Sequence, residues 1–159
     1  MTVRFPPDWN DLLRCLNLHR VRFVIIGAHA LAAIGIPRNT LDLDVFVEAT
    51  TANAVRLQKA LTDFGFSALA AQALQFARGD RMAVLGREPF RIDLLNAISG
   101  VSFREAWSGA EIGKLGAHRV RFLGRKQFIK NKKAAGRPKD RLDLALLDEA
   151  QPRARRGKA

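Results

Sequence analysis

Three aspartates carry the strongest chemical signal in this sequence. Asp42 and Asp44 stand two residues apart in the run Thr40-Leu-Asp-Leu-Asp-Val-Phe-Val47. On a strand, that spacing sends both carboxylates to one face, roughly 7 Å apart, and sends Leu43, Val45 and Val47 to the other. A pair of this kind can hold hard cations through oxygen ligands, as phosphate-bearing substrates require of Mg²⁺. Asp93 lies in a second apolar run, Phe90-Arg-Ile-Asp-Leu-Leu95, where its neighbours Ile92 and Leu94 face the opposite way. If the two strands are neighbours, the three acids form a triad able to take two metals and support an in-line attack on phosphorus. A bare Asp-x-Asp has a plainer reading as a solvated strand edge or as partners of nearby arginines.

Residues upstream supply what such a triad lacks. Gly27 closes the apolar run Phe23-Val-Ile-Ile26 and opens an Ala-rich segment, a strand-to-helix turn whose backbone N–H groups can face a phosphate. Ala28 follows it. Arg38 and Thr40 occupy the loop that leads into the first aspartate strand, where both can reach a phosphate. His29 also sits in the turn, with a packing role favoured over a phosphate contact. Near the C-terminus, Lys132 is a second candidate for neutralising phosphate charge, and Asp140 and Asp143 read as partners for Lys or Arg on one helix face.

The elements that must position these groups follow from periodicity. Helical spacing runs over 8–18, 28–34, 51–64, 103–107, 126–135 and 138–150, with an Ala-rich stretch over 68–77 left between helix and loop. Strands are expected at 23–26, 43–48, 82–85 and 90–95, the last two joined through 86–89, and a hairpin at 111–123 turning near 115–117. Thr50 or Thr51 suits the N-cap of the third helix. Helices and strands in this order imply an α/β or α+β fold, a sheet with helices packed on it. Residues 1–150 read as one domain and 151–159 as a basic, disordered tail.

Composition narrows the classes. With 48% hydrophobic and 26% charged residues the chain is globular rather than disordered throughout. The net charge of +12 is lopsided: residues 1–113 hold 12 Lys/Arg and 11 Asp/Glu, whereas residues 114–159 hold 15 and 4. That asymmetry points to a polyanionic partner such as RNA or a nucleotide's phosphates. Cys15 has no partner, which excludes a disulfide scaffold and fits a reducing cytoplasm. The apolar run Val21 to Ile36 is too short and too polar to span a bilayer, so no membrane partner is expected. No Gly-x-x-x-x-Gly-Lys, Gly-x-Gly-x-x-Gly or Gly-x-Ser-x-Gly motif occurs. His19, His29 and His118 lack zinc spacing.

Taken together, Gly27-Ala-x-Ala-Leu31, then Arg38-x-Thr-x-Asp-x-Asp44, then Ile92-Asp-Leu94, resemble the minimal nucleotidyltransferases of the DNA polymerase-beta superfamily. The match is to a bacterial branch that also carries strings like Ile98-Ser-Gly-Val-Ser-Phe-x-Glu-Ala-Trp107 and Asn131-Lys-x-Ala-x-Gly-Arg-Pro-x-Asp140-x-x-Asp143. The resemblance spans about Val21 to Ala150. It implies a nucleotidyltransferase fold: a mixed central sheet flanked by helices, with two C-terminal helices. It further implies Asp42, Asp44 and Asp93 as catalytic metal ligands for two Mg²⁺, and Gly27, Ala28, Arg38, Thr40 and Lys132 as the site of an NTP substrate. Lys132, Arg137, Asp140 and Asp143 match a signature of toxin-like relatives, so toxin–antitoxin pairing and a protein partner enter as family-level expectations.

The activity expected is transfer of a nucleoside monophosphate from an NTP to an acceptor: an RNA 3′ end, a protein hydroxyl or a small molecule. The alternative is a non-catalytic nucleotide- or nucleic-acid-binding protein, or an antitoxin-like partner binder, with the same fold. Proximity of Asp93 to Asp42 and Asp44 discriminates between them.

Overall fold

The computed structural model describes residues 5–86 and 89–150, so the expected tail at 151–159 lies outside the described residues. Seven helices and six strands follow one another as α1 (Pro7–Leu18), β1 (Phe23–Ile26), α2 (Gly27–Ala33), β2 (Asp42–Val47), α3 (Thr51–Phe64), α4 (Ser67–Gln72), β3 (Met82–Leu85), β4 (Arg91–Leu95), α5 (Phe103–Ser108), β5 (Glu111–Leu115), β6 (His118–Phe122), α6 (Arg125–Ala135) and α7 (Pro138–Ala150). The Ala-rich stretch resolves into α4 and a tight 3₁₀ segment, Ala73–Ala77.

All six strands form one mixed sheet in the order β3-β4-β2-β1-β6-β5. The β1–β2, β3–β4 and β5–β6 pairs are antiparallel, while β2–β4 and β1–β6 are parallel. Strand β1 lies at the centre, which explains its unbroken apolar sequence: all four residues are buried.

Strand alternation divides the core in two. Phe23, Ile25, Leu43, Val45, Val47, Ile92, Leu94, Val120 and Phe122 point to one face, where they pack against α1, α3, α4 and the 3₁₀ segment. Val24, Ile26 and Phe46 point to the other, which is covered by α2, α5, α6 and α7 through Leu31, Ala106, Phe128 and Leu147. The aspartates stand on this second face, beyond Phe46, where the helical layer no longer covers the sheet.

Local chemistry fixes the helix ends. Thr50 Oγ1 accepts the Asn53 N–H at 3.1 Å and caps α3. Buried Asn53 in turn accepts the Arg22 N–H and donates to the carbonyls of Arg22 and Glu48, tying α3 to the open ends of β1 and β2. Ser102 and Glu105 form a reciprocal capping box on α5. Gly136, with φ +64°, stops α6, and Pro138 starts α7.

Leu94 is fully buried beside Asp93, whereas Met82 on the edge strand is 61% exposed. Leu94→Ala should cost about 2–5 kcal/mol in urea unfolding, and Met82→Ala should stay within about 0.5 kcal/mol of wild type. Similar losses from both would mean that the sheet does not bury its faces as described.

Candidate active site

Parallel pairing of β2 with β4 aligns Asp44 with Asp93 and Asp42 with Arg91. Neighbouring strands lie about 4.8 Å apart, so the Asp44 and Asp93 carboxylates stand side by side on one face. They form the floor of a cleft of about 650 Å³ whose walls come from the Gly27 turn, the loop before β2, β3, and the facing ends of α6 and α7. Every residue expected at the site lines it: Asp42, Asp44, Asp93, Gly27, Ala28, Arg38, Thr40 and Lys132. A separate open depression of about 620 Å³ beside Leu18, His19 and Asp63 carries a single carboxylate, so volume alone does not mark the chemistry.

Gly27 has φ +70°, and a β-carbon built on it would overlap Asp44 Oδ2. The turn can lie against the carboxylate only because no side chain intervenes. Thr40 Oγ1 accepts the Asp42 N–H at 3.0 Å and donates to the Asp42 carbonyl at 3.3 Å, so its hydroxyl shapes the start of β2. His29 turns out of the cleft, edge-on to Trp9 with ring centres 5.1 Å apart, and burial lowers its pKa.

The three acids differ in their surroundings. Burial, then the charge of Asp93, a hydrogen bond with it and the charge of Asp42, push the Asp44 carboxyl up to about 6, with Lys139 pulling the other way. Asp93 is 5% exposed. Its Oδ2 accepts Arg91 Nη2–H at 3.0 Å, and its Oδ1 lies 3.0 Å from Arg91 Nε. No N–H is aimed at Oδ1, which is left buried without a hydrogen bond. Asp42 is half exposed and lies 3.9 Å from Arg91 Nε. Arg91 is the residue that the sequence reading missed, although its place two residues before Asp93 on a strand puts it on the same face.

The C-terminal candidates form a closed ion-pair network. Lys132 Nζ lies 3.1 Å from Asp140 Oδ1 and 3.5 Å from Asp143 Oδ2. Arg38 pairs with Asp143, joining the loop before β2 to α7. Arg137 holds Asp140 through Nε at 2.8 Å, Nη2 at 3.2 Å and its backbone N–H at 3.1 Å. These hydrogen bonds, foremost from Arg137, draw the Asp140 carboxyl down to about 2 despite its burial. Asp140 and Asp143 thus behave as expected, as partners of Lys and Arg. Lys132 reaches the cleft wall with its charge already committed.

The donor set suits a hard cation: Asp44 and Asp93 adjoin, and Asp93 Oδ1, though ion-paired with Arg91, receives no hydrogen bond. Among the described residues no three His, Cys, Asp or Glu side chains are gathered closely enough to hold a metal as they stand. Asp42 lies beside Arg91 instead. No described helix is long and apolar enough to cross a membrane.

No family model matches the chain, and no curated protein sequence matches it. Among solved structures it resembles the 1.87 Å crystal structure of a Thermotoga maritima protein described as a "putative nucleotidyltransferase". The superposition covers 92% of this chain and 88% of that one, with a TM-score of 0.51 and 12% identity. The fold is therefore nucleotidyltransferase-like; at that identity the likeness speaks for the fold alone.

Two outcomes test this electrostatic picture. In the folded protein Asp44 binds its proton more tightly than in the unfolded chain, where its ordinary value is 3.8. Its contribution to stability is full below about pH 4 and is lost as pH rises through about 6, at most about 3 kcal/mol. With chelator present, Asp44→Asn should therefore gain melting temperature over wild type as pH rises from 5 to 8. A constant difference across that range would refute the shifted titration. Lys132→Ala should destabilise the protein by about 3–5 kcal/mol in urea, because it strips a partner from two buried carboxylates. A Lys132→Ala protein as stable as wild type would show that the network is not what holds α6 to α7.

Proposed function

We propose that this protein is a Mg²⁺-dependent nucleotidyltransferase that moves a nucleoside monophosphate from an NTP to an acceptor hydroxyl. The observation that carries the reading is the in-register placement of Asp44 against Asp93 on the floor of the cleft, with Asp42 on the same face. Non-catalytic binding of a nucleotide gives no reason to set two mutually repelling acids side by side, one of them pressed against a side-chain-free turn.

In this reading Asp42, Asp44 and Asp93 would hold two Mg²⁺, whose chemistry when bound would be to neutralise phosphate charge and acidify the acceptor hydroxyl. Gly27 and Ala28 let the triphosphate approach the backbone closely. Thr40 and the Arg38–Asp143 pair fix the loop that carries Asp42. Asp93 orients the acceptor hydroxyl and takes up its proton. The acceptor oxygen bonds to the α-phosphorus as the bond to the pyrophosphate oxygen breaks, and pyrophosphate leaves. Arg91 holds the Asp93 carboxylate aimed until substrate arrives. The basic C-terminal segment favours an RNA acceptor over a neutral small molecule. Residues 1–150 form the catalytic domain.

The test is incubation of the protein with each α-labelled NTP and Mg²⁺ in the presence of total RNA or total protein. Label should enter one pool, require Mg²⁺ and fall by roughly two powers of ten or more in Asp44→Asn. Equal labelling by wild type and Asp44→Asn, or none by either across all pools, would overturn the assignment and leave the binding-only alternative.

A further inference from the structure

We propose that Lys139 is the side chain that meets the terminal phosphates of the nucleotide, in the role that the resemblance assigns to Lys132. This rests on the nucleotidyltransferase reading above.

The cleft wall carries five cations, Arg38, Arg91, Lys132, Arg137 and Lys139, and an equal number of carboxylates. A polyanion therefore meets a wall with no net charge, and its attraction depends on which positive charges are not already used. Four are used. Arg38 is paired with Asp143, Lys132 with Asp140 and Asp143, Arg137 with Asp140, and Arg91 with Asp93. The acids they serve are 0–5% exposed. Withdrawing Arg91 toward a ligand would strand buried Asp93, and withdrawing Arg38, Lys132 or Arg137 would take one of two partners from buried Asp140 or Asp143, so each contact with phosphate is made at the cost of an existing ion pair.

Lys139 has no such obligation. It makes no ion pair among the described residues, is exposed, and lines the cleft from the first turn of α7. It lines the same cleft as Asp42, Asp44 and Asp93. A flexible four-carbon stem ending in a compact ammonium with three donors suits the rotationally variable oxygens of a terminal phosphate. The ligand class is a polyphosphate, as an NTP or free.

Lys139 gives no sequence signal of its own. One lysine among many in a basic segment becomes distinctive only when its neighbours are seen to be neutralised.

The experiment measures Kd for ATP, GTP, CTP and UTP, and for inorganic triphosphate, with Mg²⁺ present and the full chain used throughout. Lys139→Ala should bind the NTPs and triphosphate about 10- to 100-fold more weakly, the loss of one charge-assisted contact, with an unchanged melting temperature. Lys139→Arg should recover part of that loss. Lys133→Ala, an exposed change on α6 away from the cleft wall, should bind like wild type. If wild type binds the NTPs and Lys139→Ala binds them equally well, the assignment of Lys139 fails and the nucleotide reading stands. Equal weakening in Lys133→Ala would also overturn it, in favour of a diffuse basic field. If wild type binds neither NTP nor triphosphate, the nucleotide reading fails and takes Lys139 with it.

Discussion

Like charges must be kept together at the end of a sheet, and much of the surrounding structure answers that demand. Asp44 and Asp93 are neighbours by strand pairing, so they cannot separate without breaking the β2–β4 register. The strain shows in the raised pKa of Asp44 and in an Asp93 oxygen left without a hydrogen bond. Arg91 relieves part of it from the same strand. The acids of the C-terminal helices contrast with this arrangement. Asp140 and Asp143 are as buried as Asp93, yet each is met by two cations, and Asp140 is drawn well below the usual carboxylate range. One acidic group is thus compensated and holds helices together. The other is under-compensated, and that shortfall is what a divalent cation can fill.

The two groups are mechanically linked. Arg38 belongs to the loop that leads into β2, and its partner Asp143 belongs to α7, so the helix pair and the acidic strand share a tie. Phe46 lies one residue pair beyond Asp44 on the same sheet face and is buried in the second core. A single strand thereby passes from packing to chemistry within two residues. The packed half fixes the orientation of the exposed half, because a slip of one residue would turn every aspartate into the hydrophobic face.

Most of this framework was legible in the sequence. Alternation in Leu43 to Val47 and in Ile92 to Leu94 assigned the acids to one face and the aliphatics to the other, and strand pairing then brought them together. Turns were legible from Gly27, Gly136 and Pro138, whose backbone preferences are local. Cation partnership was not legible. Whether Lys132 faces a phosphate or a carboxylate depends on α7 folding back on α6, and whether Arg38 is free depends on a residue 105 positions away. Such contacts leave no periodic trace. Arg91 was within reach, since two-residue spacing on a strand is enough to place it beside Asp93. The break of the Ala-rich stretch into α4 and a 3₁₀ segment has no equally clear local cue.

The parallel pairing of β2 with β4 also governs how the chain comes to have a cleft at all. Parallel neighbours cannot be joined by a tight turn, and here the connection runs through α3, α4 and β3 before β4 is reached. The central β1–β6 pairing is longer still, aligning Ile25 with Phe122. Loop-closure entropy must be overcome for both before any cooperative gain is returned. Domains dominated by such distant pairings fold slowly, on the millisecond-to-second scale rather than in microseconds. The cluster of acids therefore forms with the global topology and not ahead of it: a nascent chain released before β4 carries Asp42 and Asp44 as two ordinary, solvated carboxylates.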